Sequence, residues 1–557
     1  MKKILSVCLV ILMALSVFSV TASAEAVVGI GYYDAESDGL YYCFYEDESF
    51  KEAYVVGYEM DVDNIAPAGA ITIPETVTHN GYEYTVTGIE SDAFYMSLFT
   101  TVTLPSTITY IGDYAFSTCD YLENVIIPND CKFDYFGLDV FLTTPFESVI
   151  YSKDETIFGQ NVLFSYIGNA DEYVIPANID IIANHCFFMS SVKNVVLNDK
   201  IEEIPEYAFA SCRNIKSIII PDNVTIIRTG AFKDCTSLEN VTLGNGVRQI
   251  GVEAFANTKI KSIHLGENVY NITGAFKDCN NLESVTVDVA NTALLTDGSA
   301  IYFKSSFFMF DDNGEEGLIL EYYLPNKAQG NITVKSTVKA IGGYAFYNCK
   351  DLKEITAKNV LYVDGEAFAG SGIEKFSGNS LALIYENAFR SCKNLSNIDV
   401  SNVLYIGNGA FQNCTSLKDV KFADSVFYIG ALSFANTGVT EVIVNGDECE
   451  IGEAAFKDCE NLKSVRLEDG VTIVGKNAFL ECPELETIYI SKNVKEFDDN
   501  AFNGCENVLF QVIDGSRAHR FIKNLGFDFE IVGRLSFFER IVAFFENLFS
   551  SLFGWII

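Results

Sequence analysis

Hydrophobic positions along this chain recur in a block of fixed shape rather than in long amphipathic helices. The block reads A-F-x-x-C-x-x-L-x-x-[VI]-x-[LVI], often Pro, then V-x-x-I-G and the next A-F. "GAFKDCTSLENVTL" from Gly230 returns at Gly274 as "GAFKDCNNLESVTV" and at Gly409 as "GAFQNCTSLKDVKF". Registered on phenylalanine, 16 copies run from Phe94 to Phe502, most of them 21 to 23 residues apart. Two longer gaps, 46 residues before Phe187 and 70 before Phe346, are close to two and three periods and predict degenerate turns inside them, about nineteen turns in all. In one copy, Leu238, Val241 and Leu243 alternate as the inward side of a short strand, while Val247, Ile250, Ala254 and Phe255 line the return path. The chain therefore coils once per repeat. A single turn cannot bury enough apolar surface to offset its own ordering, so each turn depends on neighbours stacked on both sides.

The recurring cysteine decides what chemistry the array offers. Three residues past phenylalanine, ten registers hold Cys119, Cys212, Cys235, Cys279, Cys349, Cys392, Cys414, Cys459, Cys482 and Cys505, and the other six hold Ser97, Thr144, Ser190, Thr258, Ser371 and Thr437. A nucleophile occurs once with a base beside it, and a zinc site needs ligands converging on one point. A column in which Cys alternates with Ser and Thr is neither; it reads as a structural ladder packed or hydrogen-bonded inside each turn. A disulfide framework needs fixed partners, and several ladder positions are flanked by Ser or Thr, so mostly free thiols are expected. Cys43, Cys131, Cys186 and Cys449 lie off the ladder.

Periods of this length with regular leucines mark a leucine-rich solenoid. "AFASCRNIKSIIIPDNVTIIRTGAF", Ala208 to Phe232, strongly resembles the BspA-like leucine-rich repeats of bacterial surface proteins, and the likeness covers roughly Ser91 to Cys505. "IPETVTHNGYEYTVTGIESDAF" from Ile73 is similar to the opening of such arrays, and "FQVIDGSRAHRFIKNLGFDFEIV" from Phe510 to their close, with a short helix around Arg517 to Leu525. The fold expected is an α/β-type repeat solenoid with a concave strand wall, a β-rich N-terminal cap and a short helical C-terminal cap. The motif loosens near 131–182 and 290–340, which look like hairpin-bearing variant turns of the family. The resemblance implies an exposed or secreted protein that binds other macromolecules, with host matrix proteins and other cells as partners. It carries over no catalytic residues.

Composition narrows the setting. "MKKILSVCLVILMALSVFSVTASAEA" has two lysines, an apolar run and a small-x-small site at Ala22–Ala24, which reads as a secretory signal cut after Ala24. The whole chain carries 38 basic and 75 acidic residues, net −37; without Lys2 and Lys3 the balance is 36 against 75, or −39. Such a surface repels phosphate backbones, so no nucleic-acid partner is expected. The divisions expected are signal 1–24, cap 25–90, repeats 91–505, C-terminal cap 506–533 and a tail 534–557.

If the strands form a wall, exposed positions flank each central apolar residue: Asn240 and Thr242, Ser262 and His264, Asn397 and Asp399, Ser464 and Arg466, Thr487 and Tyr489. This small, polar strip suits a broad protein or glycan contact, and equally suits solvated strands with no ligand. His264, Asp399, Arg466 and Tyr489 are its least bland members and the candidate ligand contacts. No enzyme, cofactor or metal site is expected. His79, His185, His264 and His519 are scattered, and adjacent His185 and Cys186 point apart. "EMDVDN", Glu59 to Asn64, lacks the glycine and closing Glu of a calcium loop.

The last 24 residues, "RLSFFERIVAFFENLFSSLFGWII", place Leu535, Phe538, Ile541, Val542, Phe545, Leu548, Phe549, Leu552 and Ile556 on one helical face. The longest uncharged run, Asn547 to Ile557, is too short to span a bilayer. A helix in a membrane interface, a helix pairing with a partner helix, and a helix folded back on the solenoid remain as readings. There is no LPxTG-type sorting motif. The leading expectation is a secreted or cell-surface, adhesin-like protein recognising a protein or glycoprotein; the alternative is a structural spacer or envelope scaffold.

Overall fold

The computed structural model describes residues 40–46, 51–58, 68–150, 153–305, 317–505 and 508–542. The expected signal segment, the cap before residue 40, "EMDVDN" and the tail beyond Val542 lie outside the described residues. The chain divides into two compact units, Met1–Tyr166 and Ile167–Ile557.

One turn of the second unit shows how the repeat becomes structure. Asn240–Thr242 is a strand that pairs in parallel with Ser217–Ile219 one repeat earlier, Ser217 opposite Asn240 and Ile219 opposite Thr242. Residues one period apart thus stand side by side, and the period-two alternation sends Ile218 inward while Ser217 and Ile219 face out. Leu238 is buried, whereas Val241 and Leu243 are half-buried. The "I-G" stretch forms a second strand, Gln249–Ile250, paired in parallel with Ile226–Ile227. The return path therefore carries a second sheet rather than a helix. From the hairpin turn onward this second sheet is long, 11 strands from Leu294 to Phe497, of which the first three are the antiparallel strands of that turn. Its glycine is imposed by close approach: a Cβ on Gly251 would meet Thr229 N at 2.6 Å, and one on Gly430 would meet Asn408 N at 2.6 Å.

The phenylalanine sits between two left-handed residues. The residue two places after it has positive φ in all 16 registers, and the residue two places before it in 15, including Tyr207 (φ 52), Thr118 (φ 58) and Leu432 (φ 55). Such values are strained in L-residues other than glycine and, to a lesser degree, asparagine or aspartate. The compensation is a third ladder of backbone bonds: Gly230, Phe232 and Asp234 donate their N–H groups to Val252, Ala254 and Ala256 of the next turn at 3.0, 2.7 and 2.9 Å. Alternating right- and left-handed residues also stops any helix from propagating. Among the described residues, helices are confined to Pro145–Ile150, Arg517–Leu525 and a segment opening at Phe537.

Inside, the rings stack face to face. In the second unit Phe209, Phe232 and Phe255 follow at 5.0 and 5.3 Å, and Phe368, Phe389 and Phe411 at 5.0 and 5.4 Å, with planes within 4°. In the first unit Phe94, Phe116 and Phe141 also stack, at 5.0 and 5.6 Å with planes 4° and 19° apart. That unit opens with antiparallel strands Leu40–Glu46 and Lys51–Tyr58; the latter pairs in parallel with Tyr82–Ile89, which continues into the second-sheet strands Tyr110–Ile111 and Tyr135–Phe136. It also holds the hairpin Glu155–Phe158 and Val162–Tyr166.

The 70-residue gap in the second unit contains an antiparallel meander, Leu294–Thr296, Ala300–Lys304 and Leu318–Tyr323, whose last strand joins Val338–Ile341 in parallel. Tyr322 and Tyr323 continue the aromatic stack there, against Phe276 at 5.8 Å and Phe346 at 4.9 Å. At the far end, Leu509–Asp514 leads to the Arg517–Leu525 helix, capped by Ser516, which accepts from His519 N–H, and closed by Gly526 at φ 78. Ala518 and Ile522 are buried, and Phe521 stacks on Phe497. Phe529–Arg534 is then the edge strand of a five-stranded sheet.

Candidate functional site

The ladder cysteines face inward and each has a defined job. Nine of the ten donate their thiol to the carbonyl of the preceding turn's phenylalanine, from Cys212 on Phe187 O at 2.8 Å to Cys459 on Phe434 O at 3.3 Å. Where the position is threonine, the hydroxyl donates to the carbonyl of its own phenylalanine, as Thr258 does to Phe255 O at 2.9 Å and Thr437 to Phe434 O at 2.8 Å. Cys349 follows the hairpin turn, and there the Tyr322 hydroxyl reaches Phe276 O at 3.2 Å. Burial pushes the Cys279 thiol up to about 11 and those of Cys212 and Cys349 to about 12. These three thiols are therefore protonated, not thiolate nucleophiles. All 14 cysteines among the described residues are free thiols, including off-ladder Cys131, which donates to Pro105 O at 3.4 Å.

The four candidate contact residues separate into three places. His264 is exposed on the sheet Ser217–Val287, with Nδ1 3.0 Å from Thr286 Oγ1 and Nε2 4.0 Å from Asp288. Asp399 is exposed just past Asn397–Ile398 and accepts from Ser401 N–H at 2.9 Å; the bonds from Ser401 hold its carboxyl below the usual range, the signature of a turn-forming side chain. Arg466 and Tyr489 stand opposite each other on neighbouring strands, the guanidinium 4.5 Å from the ring centroid and bridged to Glu468 at 2.7 Å. The structure thus brings two of the four together and leaves His264 in another sheet and Asp399 just past the end of a third.

Two outward features escaped the sequence reading. On the outward strands of the second unit, Val174 and Val196, directly opposite each other in a two-stranded sheet, are 58% and 41% exposed, and Ile219, on the first strand of the next sheet, is 69% exposed. They form an aliphatic strip over three turns, visible beforehand only as β-branched residues at outward positions of "YVIP", "VVLN" and "IIIP". On the second sheet, Tyr362, Tyr385, Tyr405 and Tyr428 make a half-buried column with centroids 5.3 to 5.9 Å apart. Tyr405 donates to Glu386 at 2.9 Å and Tyr428 to Asn408 at 3.3 Å, so this column is held by its own turns.

No constellation for catalysis assembles among the described residues. His79 stacks on Phe44, His185 stacks on Tyr207 beside buried Cys186, and His519 accepts from Gly515 N–H at 3.2 Å. No group of three or more His, Cys, Asp or Glu side chains is placed to hold a metal ion there. A narrow cleft at the hairpin turn is lined by Lys277, Tyr322, Tyr344 and Tyr347, and Lys277 is engaged by the chain's own groups. Its ammonium lies 2.9 Å from Glu253 and 4.3 Å from the Tyr347 centroid. What remains is two outward sheet faces on a strongly acidic chain, a geometry for contact by area.

None of the curated proteins matches the chain. Among solved structures, a leucine rich cell surface protein from Faecalibacterium prausnitzii A2-165 is 23% identical over 88% of this chain and 97% of its own, with TM-score 0.32. The pneumococcal vaccine antigen PcpA is 17% identical over 91% and 100%, with TM-score 0.35. A leucine-rich repeat protein from Eubacterium ventriosum ATCC 27560 is 25% identical over 62% and 89%, with TM-score 0.44. The BspA type Leucine rich repeat region matches in 6 copies, at residues 71–166, 160–283, 319–437 and 382–509. Together with the stacked turns, that span places the chain in a family: it belongs to the BspA type leucine rich repeat proteins.

Proposed function

We propose that this chain is a secreted or cell-surface binding protein, without enzymatic activity, that recognises a protein or glycoprotein through the outward face of the strands that carry Val174, Val196 and Ile219. Host matrix proteins and the surfaces of other cells are the partners this reading favours. The observation that carries it is the Val174–Val196–Ile219 strip. Aliphatic side chains held open to water across three turns cost solubility and serve a contact, whereas a mere spacer needs none. Around them, Asn194, Ser217 and Asn240 supply short polar groups for a rim, the arrangement found in specific interfaces. The neighbouring cell-surface protein from Faecalibacterium is consistent with the same location for this chain.

The test is binding of the full chain to immobilised matrix glycoproteins at physiological and at high salt. The reading expects saturable, salt-resistant binding that falls about tenfold or more in Ile219→Asp, because a charge is driven into the contact. Alanine at Asp399, Arg466 and Tyr489 sorts the candidate contacts by size of effect. Binding that vanishes with salt, or that is indifferent to Ile219→Asp, overturns the proposal and leaves the spacer reading.

A further inference from the structure

The C-terminal end differs from the rest of the molecule in both charge and exposed apolar content. From Gly515 to Ile557 the chain carries five basic and four acidic residues, whereas the 514 residues before it carry 33 basic and 71 acidic. The edge strand Phe529–Arg534 leaves Ile531 and Val532 exposed, and the chain then turns at buried Leu535. Ser536 opens a helix through a reciprocal capping box: Ser536 N–H donates to Glu539 Oε2 at 2.7 Å, and Glu539 N–H donates to Ser536 Oγ at 3.4 Å. Lys492 pairs with Glu539, and Arg540 with Asp514 at 3.4 Å, so the first turn of this helix is fastened to the end of the solenoid. Held in that position, Phe537 and Phe538 are 73% and 78% exposed; Arg534 and Arg540, within four residues of them along the chain, are exposed too, as is Lys523 on the preceding helix.

Two phenylalanines pinned into water among cations ask for a partner that is apolar and anionic at once. A second copy docking through this same end would set Lys523, Arg534 and Arg540 against their own counterparts. A basic protein would meet the cations. An anionic bilayer offers headgroups to the basic side chains and acyl chains to the rings, which is how interfacial amphipathic helices bind. The sequence beyond Val542 continues the apolar spacing through Phe545, Leu548, Phe549 and Leu552 and contains Trp555, the only tryptophan of the chain. No described helix is long and apolar enough to cross a membrane.

We propose that this end of the protein docks onto an anionic lipid surface, with Phe537 and Phe538 entering the interface and Lys523, Arg534 and Arg540 facing the headgroups. The proposal is independent of the reading that rests on Val174, Val196 and Ile219.

Trp555 makes the test direct, since all tryptophan emission comes from the segment in question. The full chain is titrated with vesicles of phosphatidylglycerol in phosphatidylcholine and with phosphatidylcholine alone. The expected result is a blue shift and co-sedimentation with the anionic vesicles only, weakened by salt. Phe537→Ser with Phe538→Ser should weaken vesicle binding about tenfold or more, and Lys523→Glu with Arg534→Glu should remove its preference for anionic lipid. Unchanged melting of the exposed-phenylalanine variant shows that the solenoid is intact, and Ile219→Asp should bind vesicles like the parent. No shift with anionic vesicles, an equal shift with phosphatidylcholine alone, or a shift without lipid that tracks formation of a dimer overturns the proposal.

Discussion

The regular turns between Phe346 and Phe502 and the hairpin turn that precedes them solve the same problem with different residues. In a regular turn the phenylalanine carbonyl of one repeat receives the cysteine thiol of the next, as Phe389 O receives Cys414 at 3.0 Å. At the hairpin turn no ladder cysteine reaches Phe276 O, and the Tyr322 hydroxyl arrives there instead from an antiparallel strand. What the stack requires at that point is a donor and a ring, not a thiol. The regular region achieves this by repetition; the hairpin turn achieves it with two adjacent tyrosines, supplemented by Asn348 on Asp278 at 2.8 Å and Thr273 on Glu321 at 3.1 Å.

The largest effect should come from breaking the regular side. Phe411 is fully buried between Phe389 and Phe434, at 5.4 and 5.1 Å, so Phe411→Ala should cost about 3–5 kcal/mol of apparent stability in urea unfolding. Because turns support only their neighbours, hydrogen exchange should rise first in the flanking repeats rather than across the chain.

Next comes a pH dependence peculiar to the hairpin side. Desolvation, with Asp364 nearby, raises the Glu321 carboxyl to about 7, while the bond from Thr273 opposes the rise. A carboxyl raised on folding favours the native state only while protonated there, so its contribution is intact below the ordinary glutamate range and is lost as pH rises through that range to about 7. Glu321→Gln should flatten the fall of the urea midpoint across that window, and an unchanged slope would show that another group governs it. The smallest effect expected is from Tyr322→Phe, which keeps the ring against Phe276 and removes only the hydroxyl; a loss of about 1 kcal/mol in the same melts is expected.

The sequence carried the architecture because its period is rigid: a residue 21 to 23 places on must stand beside its predecessor, so the phenylalanine register, the inward cysteine column and the loosened stretches near 131–182 and 290–340 were all legible. The left-handed residues were not, since Tyr207, Thr118 and Leu432 oppose local preference and are held there by bonds from the adjacent turn. For the same reason the return path reads as α/β while forming a second parallel sheet, whose hydrogen bonds lie between repeats. Of the candidate contacts, the Arg466–Tyr489 pair became visible only when the register set them opposite each other. The Val174–Val196–Ile219 strip was hidden because exposure at an outward position depends on what covers the sheet.

The central claim is that the ladder position works as a hydrogen-bond donor to a phenylalanine carbonyl, that of the preceding turn where it is cysteine and that of its own turn where it is threonine. Cys414→Thr and Cys414→Val are nearly isosteric and differ by one hydroxyl, so comparing their urea unfolding isolates the donor. The threonine variant should be the more stable by about 1 kcal/mol, its hydroxyl donating within its own turn to Phe411 O as Thr258 and Thr437 do to Phe255 O and Phe434 O. A valine variant equal to or more stable than threonine would contradict this and make the cysteine column apolar filling alone.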